Sequence, residues 1–219
     1  MPHGAAANSP EPCVTPKTLA PSDTEIIMPR VSRQQTERNR EIILQVATRL
    51  FRERGLKGLS VAEVMKAAGL THGGFYGHFE SKEALAAQAC QQAFDQSVQR
   101  WAERTAPTRD RQGARRVLID HYLADTNRDL PGEGCPAVGL AGDVCHEAED
   151  SHLRRVYTQG VHALIDDYEA VMDQPQPEAR RHTALVEFAL MVGAITLARA
   201  TEGDPLSDEI LQAARESLA

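Results

Sequence analysis

The chain has 219 residues, of which 42% are hydrophobic, and this is long enough for one large or two small domains with a packed core. The net charge of −7 argues weakly against nucleic-acid binding, but residues 30–82 hold ten Lys and Arg against five Asp and Glu, whereas residues 83–219 hold 13 against 23. A basic block on an acidic remainder is typical of a small DNA-binding head on a larger sensor body.

Cysteine usage and the absence of export signals predict a cytoplasmic protein. The four cysteines lie far apart and form no C-x-x-C pair, which argues against a disulfide framework. No early segment combines a basic start with an apolar core, so export is not indicated. The sequence contains no nucleophile elbow, P-loop, dinucleotide glycine fingerprint or zincin helix, and we therefore expect neither enzymatic activity nor a cofactor.

The N-terminal residues differ from the rest in composition. Residues 1–29 contain six prolines and show no periodicity, which predicts a disordered tail over residues 1–30. Met28 stands just before the basic block, and one hypothesis is that translation of the natural protein starts there. A helix is predicted next, over residues 36–54, because apolar residues recur there at helical spacing and Gly55 ends the pattern.

Two short helices joined by a tight turn are predicted between residues 59 and 82. Ser60 can cap the first of them, and Glu63, three residues later, completes a capping box. Gly69 follows the last periodic apolar residue, where a left-handed stop is expected. Thr71 is predicted to cap the second helix, over residues 72–79. This order of signals is typical of a helix-turn-helix, with the second helix as the recognition helix.

The predicted recognition helix contains three glycines, each of which costs about 1 kcal/mol relative to alanine in a helix interior. Gly73 and Gly77 are four residues apart and flank the same strip as His72 and Tyr76. Glycines there would allow the backbone to approach a large, flat partner such as a DNA groove. Thr71, His72 and Tyr76 offer hydroxyl and imidazole groups to phosphates or base edges. The alternative is a loose turn between core helices.

The run G-x-x-Y-x-H-F-x-S-K-E-x-L, from Gly73 to Leu85, resembles the signature of the tetracycline-repressor (TetR) family of bacterial transcriptional regulators. The resemblance covers residues 37–97. It implies an all-α fold with a three-helix helix-turn-helix head, residues 31–80, and a helical ligand-binding and dimerisation bundle, residues 81–219. Gly77 is often a larger residue in relatives, so base reading by that side chain is absent here. The predicted DNA-binding residues are Ser60, Thr71, His72, Gly73, Tyr76, His78 and Lys82.

The remainder of the chain also shows helical patterns. Ser81 caps a helix that runs to about residue 104, and further helices are predicted over residues 109–127, 136–146, 151–173, 178–200 and 206–218. A pocket for a small-molecule effector of unknown identity is predicted among the helices of residues 109–173. Its predicted lining is Tyr122, Cys135, Val138, Leu140, Val144, Tyr157, Leu164 and Tyr168, with plain core packing as the alternative for each.

The helix over residues 178–200 is apolar on nearly all sides, so it is either central in the monomer or buried against a second copy. Its apolar stretch, residues 184–198, carries Glu187 and is shorter than the roughly 20 residues of a membrane span, so no membrane partner is expected. The resemblance implies that the last two long helices form a four-helix bundle with a partner subunit. The predicted dimer contacts are Phe188, Met191, Val192 and Ile195.

Two further clusters suggest chemistry. Cys135 stands at the start of a predicted helix, where the helix dipole lowers a thiol pKa, so a redox or electrophile sensor is one hypothesis and a cysteine packed under the pocket is the other. The polar residues from His146 to His152 include His146, Glu147 and Asp150, but they lack the ligand pairing of a structural zinc site. An exposed, charged helix end is expected there, and no metal.

These observations predict a ligand-responsive repressor that binds a palindromic double-stranded DNA operator as a homodimer. Two heads about 34–36 Å apart would contact successive major grooves of a near-palindrome. The alternatives are a redox or electrophile sensor acting through Cys135, and a ligand-independent DNA-binding module or activator.

Overall fold

The computed structural model describes residues 33–219, and every regular element in that range is helical. The predicted all-α class is therefore confirmed. The predicted tail over residues 1–30, the hypothesis about Met28, and Cys13 lie outside the described residues. Residues 33–219 belong to one compact unit. The division into a head that ends at residue 80 and a body that starts at residue 81 stays a prediction.

Local sequence signals set the ends of the first two helices. Helix α1 spans Arg33–Arg54 and ends at Gly55, whose φ of 73° lies in the left-handed region. Helix α2 spans Val61–Ala67 and begins with the predicted capping box. In that box the Glu63 N–H donates to Ser60 Oγ at 3.2 Å, and the Ser60 N–H donates to the Glu63 carboxylate at 2.8 Å.

The segment after α2 is a 3₁₀ helix, His72–Gly77, and not the α-helix predicted over residues 72–79. It follows a turn at Gly69, whose φ is 71°. The three glycines account for the difference, because glycine weakens an α-helix and 3₁₀ geometry is used in such short pieces. Thr71 has the extended backbone of an N-cap, but its side chain makes no capping hydrogen bond. The prediction that its hydroxyl caps the helix is therefore wrong.

The first helices share one apolar core, which holds the 3₁₀ helix in place. Phe75 and Phe79 are buried, and their stacked rings have centroids 5.8 Å apart. Removing such side chains from water is worth about 25 cal/mol per Å² of apolar surface, which outweighs the poor helix propensity of the glycines. The same core contains Ile43, Ala47, Leu50, Phe51, Val64 and Met65.

Helix α3 belongs to both halves of the molecule. It spans Lys82–Thr105, and Ser81 caps it by accepting the Ala84 N–H at 3.1 Å, as predicted. One side of α3 packs against α1 and another side packs against α8, His152–Ala170. A Cβ placed on Gly160 of α8 would lie 2.1 Å from Cγ of Phe94. The two helices can approach this closely only because residue 160 has no side chain.

The single helix predicted over residues 109–127 is two helices. Helix α4 spans Arg111–Tyr122 and helix α5 spans Asp125–Asp129. The Asn127 side chain donates to the Tyr122 carbonyl at 2.6 Å, and that carbonyl would accept a backbone N–H if the helix continued. A side chain thus replaces the backbone partner at the break.

The helix predicted over residues 136–146 is also broken, into α6, Pro136–Gly139, and α7, Ala141–Val144. Both pieces lie against the end of α1. The Asp143 carboxylate accepts the Leu56 N–H at 2.6 Å. A Cβ on Gly139 would lie 3.1 Å from Cα of Arg52, so the backbones nearly touch. These contacts with α1 account for a path that the local sequence does not show.

The last long helices lie close to their predicted bounds. Helix α9 spans Pro177–Ala200 and helix α10 spans Leu206–Leu218. By length and composition alone α9 meets the requirements of a membrane-spanning helix. In the fold it packs against α8 and α10, and its Glu187 forms a bidentate ion pair with Arg115 of α4, with N–O distances of 2.7 and 2.9 Å. Tyr168 of α8 also donates to that carboxylate, at 2.7 Å.

The orientation of α9 corrects the predicted dimer contacts. Phe188, Met191 and Ile195 are buried inside the monomer, where Phe188 packs edge-on against Trp101 with ring centroids 6.4 Å apart. Val192 is half-buried. The apolar side chains that α9 leaves in solvent are Leu185, Val186, Leu190 and Leu197.

Candidate nucleic-acid interface and internal cavity

One face of the 3₁₀ helix is exposed and polar. Thr71, His72, Gly73 and Gly77 all face solvent, and Tyr76 is 70% exposed. The Tyr76 ring packs edge-on against the buried Phe75, with centroids 5.2 Å apart. The buried Phe75 therefore supports the Tyr76 ring, which remains largely exposed to solvent.

The fold itself does not require glycine at positions 73 and 77. A Cβ added to Gly73 or Gly77 would meet no atom within 4 Å, and neither residue has a positive φ. Gly74 is different, because its added Cβ would contact Cε of Met65 at 3.7 Å. The two outward-facing glycines therefore have no packing role within residues 33–219, which is consistent with close approach by a partner.

Three other predicted DNA-binding residues have internal contacts. Ser60 is exposed, but its hydroxyl donates to the Glu63 carboxylate at 2.7 Å. The hydrogen bonds from the Ser60 backbone and side chain lower the pKa of Glu63. His78 is half-buried, and its Nδ1 is buried without a partner among the described residues, so its ring is not part of the exposed strip. Lys82 is half-buried in the first turn of α3.

A second feature is a partly enclosed cavity of about 150 Å³ between α3, α4 and α5. Trp101 and Tyr122 form its aromatic wall, and their ring centroids are 6.2 Å apart. Polar groups also reach the cavity: Arg100, His121, Asn127, Glu133 and Cys135.

Two of the eight predicted pocket residues, Tyr122 and Cys135, line this cavity. The other six do not line it. Tyr157 instead donates its hydroxyl to the Ala137 carbonyl at 2.8 Å. Leu140, Val144, Leu164 and Tyr168 are buried in the core, and Val138 packs against it.

Sequence reasoning missed Arg100, Trp101 and His121 as cavity residues. Ser97, Arg100 and Trp101 lie three and four residues apart on α3 and share one face. A run of polar residues on the inward side of an otherwise apolar helix is the signal that could have identified them.

Three guanidinium groups lie at the cavity or donate to residues that line it. Arg52 of α1 donates to the Gly134 carbonyl at 2.9 Å, and Arg199 of α9 donates to the Asn127 carbonyl at 2.6 Å. Arg100 donates to Ser97 Oγ at 3.0 Å. Among the described residues, no carboxylate forms an ion pair with any of these three arginines. The cavity therefore lies in a region of positive charge.

Burial and the arginines shift the pKa values of groups around the cavity. Burial lowers the pKa of Arg52 to about 10, which still leaves this group charged at neutral pH. Burial also lowers the pKa of Arg100 and of Arg199. Burial, with the positive charges of Arg104 and Arg100, lowers the pKa of His121 to about 4. His121 is therefore neutral at pH 7.

The environment of Cys135 contradicts the expectation of a lowered thiol pKa. The thiol is buried, and burial raises the pKa of Cys135, because a thiolate loses solvation there. The helix that follows it has only four residues, which leaves the dipole argument weak. The Tyr122 hydroxyl interacts with this thiol but forms no hydrogen bond of normal geometry with any described residue. Cys145 is exposed.

The segment that borders the cavity also contacts the end of α1. Arg52 links α1 to Gly134, next to the cavity residue Cys135. Asp143, eight residues after Cys135, holds the N–H of Leu56 in the turn after α1. A displacement at the cavity can therefore reach the helices that carry the exposed 3₁₀ surface.

The family model described as "Bacterial regulatory proteins, tetR family" matches residues 43–89, which include the capping box, the 3₁₀ helix and the start of α3. This segment therefore matches the TetR family. It is 35% identical over 96 residues to the HTH-type transcriptional repressor DhaR of Mycobacterium sp. strain GP1, a match that covers 44% of this chain and 47% of DhaR. The chain thus spans about half the length of that relative.

Longer matches to TetR-family proteins extend over the body. The chain is 26% identical over 187 residues to the HTH-type transcriptional repressor NemR of Escherichia coli K12, covering 78% of this chain and 89% of NemR. The crystal structure of E. coli NemR in its reduced form matches with a TM-score of 0.65 at 22% identity, over 82% of this chain and 96% of that one. A TetR-family regulator from Agrobacterium tumefaciens matches with a TM-score of 0.70 at 22% identity, over 83% and 98%. These structures establish the fold.

Within residues 33–219, no group of three or more His, Cys, Asp and Glu side chains is arranged to hold a metal ion. The polar residues around His146 are exposed at the end of α7, as expected for a solvated helix end.

Proposed function

We propose that this TetR-family protein is a cytoplasmic transcriptional repressor that binds a palindromic operator as a homodimer. The observation that carries the proposal is the exposed face of the 3₁₀ helix. There the exposed Tyr76 packs its ring against the buried Phe75, and the fold does not require glycine at positions 73 and 77. The helix lies in the segment that matches the family model and in the basic block of the sequence. DhaR and NemR are both named as repressors, which supports the direction of regulation.

Head and body have distinct roles in this proposal. DNA is contacted, mostly at phosphates, by Lys82 at the start of α3 and by five residues of the segment 31–80: Ser60, Thr71, His72, Gly73 and Tyr76. Residues 81–219 hold the cavity and the dimer contacts. Lys82 sits where the N-terminal amides of α3 and an ammonium group can bind one phosphate together.

The exposed side of α9 supports dimerisation. Leu190 and Leu197 border a groove of about 400 Å³ between α9 and α10, together with Ile210 and small residues. In this proposal the same side of α9 and α10 in a second copy fills the groove, which forms a four-helix bundle. A two-fold dimer suits a palindrome, because each half-site then meets an identical head.

A small molecule in the cavity would regulate DNA binding in this proposal. A ligand that displaces the loop at Gly134 and Cys135 would act on α1 through Arg52 and on the following turn through Asp143. By linkage, such a ligand binds the form with low DNA affinity more tightly, and DNA weakens ligand binding by the same factor.

Mapping the DNA bound by the purified protein tests the proposal. Genomic fragments selected by the protein are expected to share a near-palindrome with half-sites one helical turn apart. Loss of one phosphate contact in Lys82→Ala is expected to weaken binding to all sequences and to reduce the log–log salt slope by about one per head. Tyr76→Phe is the matched comparison, because it removes a hydroxyl group but no charge. It is expected to weaken binding without changing the log–log salt slope. Selection of no common sequence by the wild-type protein would contradict the proposal.

A redox or electrophile sensor is the second candidate, because Cys135 lines the cavity and can be reached by a small reagent there. The raised pKa of Cys135 disfavours the thiolate and argues for slow reaction. In this candidate, electrophiles release DNA from the wild-type protein but not from Cys135→Ser. Equal release from both proteins would exclude it.

A further inference from the structure

We infer that the cavity between α3, α4 and α5 binds a small carboxylate anion with an apolar body no larger than about one ring. The inference rests on the proposed function in one respect, since it names the chemical class of the effector for the same cavity. It is carried by arginines that form no ion pair within residues 33–219, by a buried hydroxyl with no hydrogen bond of normal geometry there, and by the size and apolar walls of the cavity.

The charge around the cavity selects an anion. Arg100 lines the wall and donates only to the neutral Ser97 hydroxyl among the described residues. Arg52 and Arg199 also donate to neutral carbonyls. Arg52 donates to those of Thr48 and Gly134, and Arg199 donates to those of Asn127 and Arg128 in α5. The one carboxylate on the wall, Glu133, is exposed and forms no ion pair within residues 33–219. A buried cation gains most from a partner that is itself charged and can accept its hydrogen bonds.

The Tyr122 hydroxyl supplies a donor for that anion. Tyr122 is only 1% exposed, and its side chain lines the cavity. Its hydroxyl interacts with the Cys135 thiol, a weak partner, but forms no hydrogen bond of normal geometry within the described part of the chain. Buried polar groups are almost always paired, so an orphaned hydroxyl beside a cavity indicates a ligand atom that accepts its hydrogen bond. A carboxylate satisfies the tyrosine O–H and the arginine N–H groups at once.

The volume and walls of the cavity limit the rest of the ligand. A cavity of about 150 Å³ has the size of one that accepts a single benzene ring. Trp101 and Leu130 contribute apolar surface to the lining. An aromatic acid with one ring, or a short branched-chain acid, combines these properties. A larger effector requires that the walls move.

Binding to the full-length protein without DNA tests the inference directly. Calorimetric titrations would use benzoate, the neutral benzamide, the cationic benzylamine and 2-methylbutyrate. We expect the carboxylates to bind at one site per chain and at least tenfold more tightly than benzamide. Equal or tighter binding of benzamide or benzylamine, or no binding of either carboxylate at 10 mM, would overturn the inference.

Matched variants separate the site from general effects of charge. Arg100→Gln is expected to weaken benzoate binding at least tenfold, and Tyr122→Phe severalfold. Glu133→Gln is expected to tighten it, an effect that misfolding cannot produce. Arg116→Gln, which removes an exposed arginine of α4 outside the cavity, is the control and should leave the affinity unchanged. An unchanged or weaker affinity in Glu133→Gln would contradict the charge argument.

A parallel measurement of operator affinity distinguishes the inference from the proposed function. If benzoate binds but DNA affinity does not change, the carboxylate site stands and ligand-responsive repression fails. If only a neutral compound binds the cavity and releases DNA, the repressor function stands and the inferred ligand class is wrong.

Discussion

Gly77 is a residue whose identity the fold leaves open. Its backbone has no positive φ, and a Cβ there would project into open space. Most glycines that interrupt a helical segment either adopt a conformation closed to other residues or allow close packing inside the protein. Gly77 does neither within residues 33–219, so the packing of the monomer gives no reason for a glycine at this position.

Substituting Gly77→Ala is therefore expected to separate stability from DNA binding. The free energy of unfolding should rise by about 0.4–1 kcal/mol, because alanine restricts the unfolded chain and meets no clash. Operator affinity should fall, because the methyl group stands between the backbone and the groove. Urea unfolding and fluorescence anisotropy with labelled DNA measure the two effects. Unchanged operator affinity would show that close approach at this position is unimportant.

The link between the body and the end of α1 belongs to the scale of elements. Helices α6 and α7 are too short to be stable alone. Helix α6 packs against α1, α3, α8 and α9, and α7 packs against α8 and bonds to the turn after α1. The Leu56 N–H and the Asp143 carboxylate form the hydrogen bond between the turn after α1 and α7. This bond is the most direct polar contact by which α7 can hold the head.

Asp143→Ala should loosen that contact. Leaving the partly buried Leu56 N–H without its acceptor is expected to cost about 1–3 kcal/mol of unfolding free energy. Amide hydrogen exchange at residues 55 and 56 should accelerate more than exchange in the core of α8. Asp143→Asn keeps an acceptor oxygen and should retain most of the protection. Equal exchange in all three proteins would mean that the bond does not fix the turn.

Sequence predicted those elements whose ends are set by neighbouring residues. The capping box at Ser60 and Glu63, the stops at Gly55 and Gly69, and the cap at Ser81 are all local, and all are present. The 3₁₀ surface could be identified because its signal lies within one short run of the chain.

Contacts between distant parts of the chain determine the features that sequence did not predict. The break after Tyr122 and the bend around Leu140 depend on Asn127 and on α1, respectively. The cavity combines α3 with α4, and the rotation of one helix relative to the other cannot be predicted from the sequence of either helix alone. Helix α9 is apolar on most sides, so periodicity could not tell its inward face, with Met191, from its outward face, with Leu197.

At the scale of the molecule, α9 and α10 leave an apolar surface exposed, with Leu190 and Leu197 in solvent. The groove beside Leu190 and Leu197 is continuous across both helices. Isolated apolar residues on a surface are common, but a contiguous apolar patch marks an interaction site. A second copy of the chain is the partner that the proposed function requires.

Leu197→Asp is expected to convert the proposed dimer into a monomer. Leu197 is 56% exposed, so the charge should have little effect on the stability of the monomer but cannot be buried against a partner. Sedimentation velocity should show half the mass, and operator affinity should fall by orders of magnitude. Ile42→Asp adds the same charge to an exposed site on α1 and should remain dimeric. A Leu197→Asp protein that is still dimeric would place the interface elsewhere.

The absence of a side chain at Gly160 restricts how the molecule can move. The Phe94 ring of α3 occupies the space that a Cβ on Gly160 of α8 would fill, so the two helices interlock at this point. Sliding one helix along the other would drive that ring into the neighbouring turns of α8, so shear between them is blocked. We therefore expect α3 and α8 to move together as one rigid pair. Because α3 begins close to the 3₁₀ helix, this movement would also shift the proposed recognition surface.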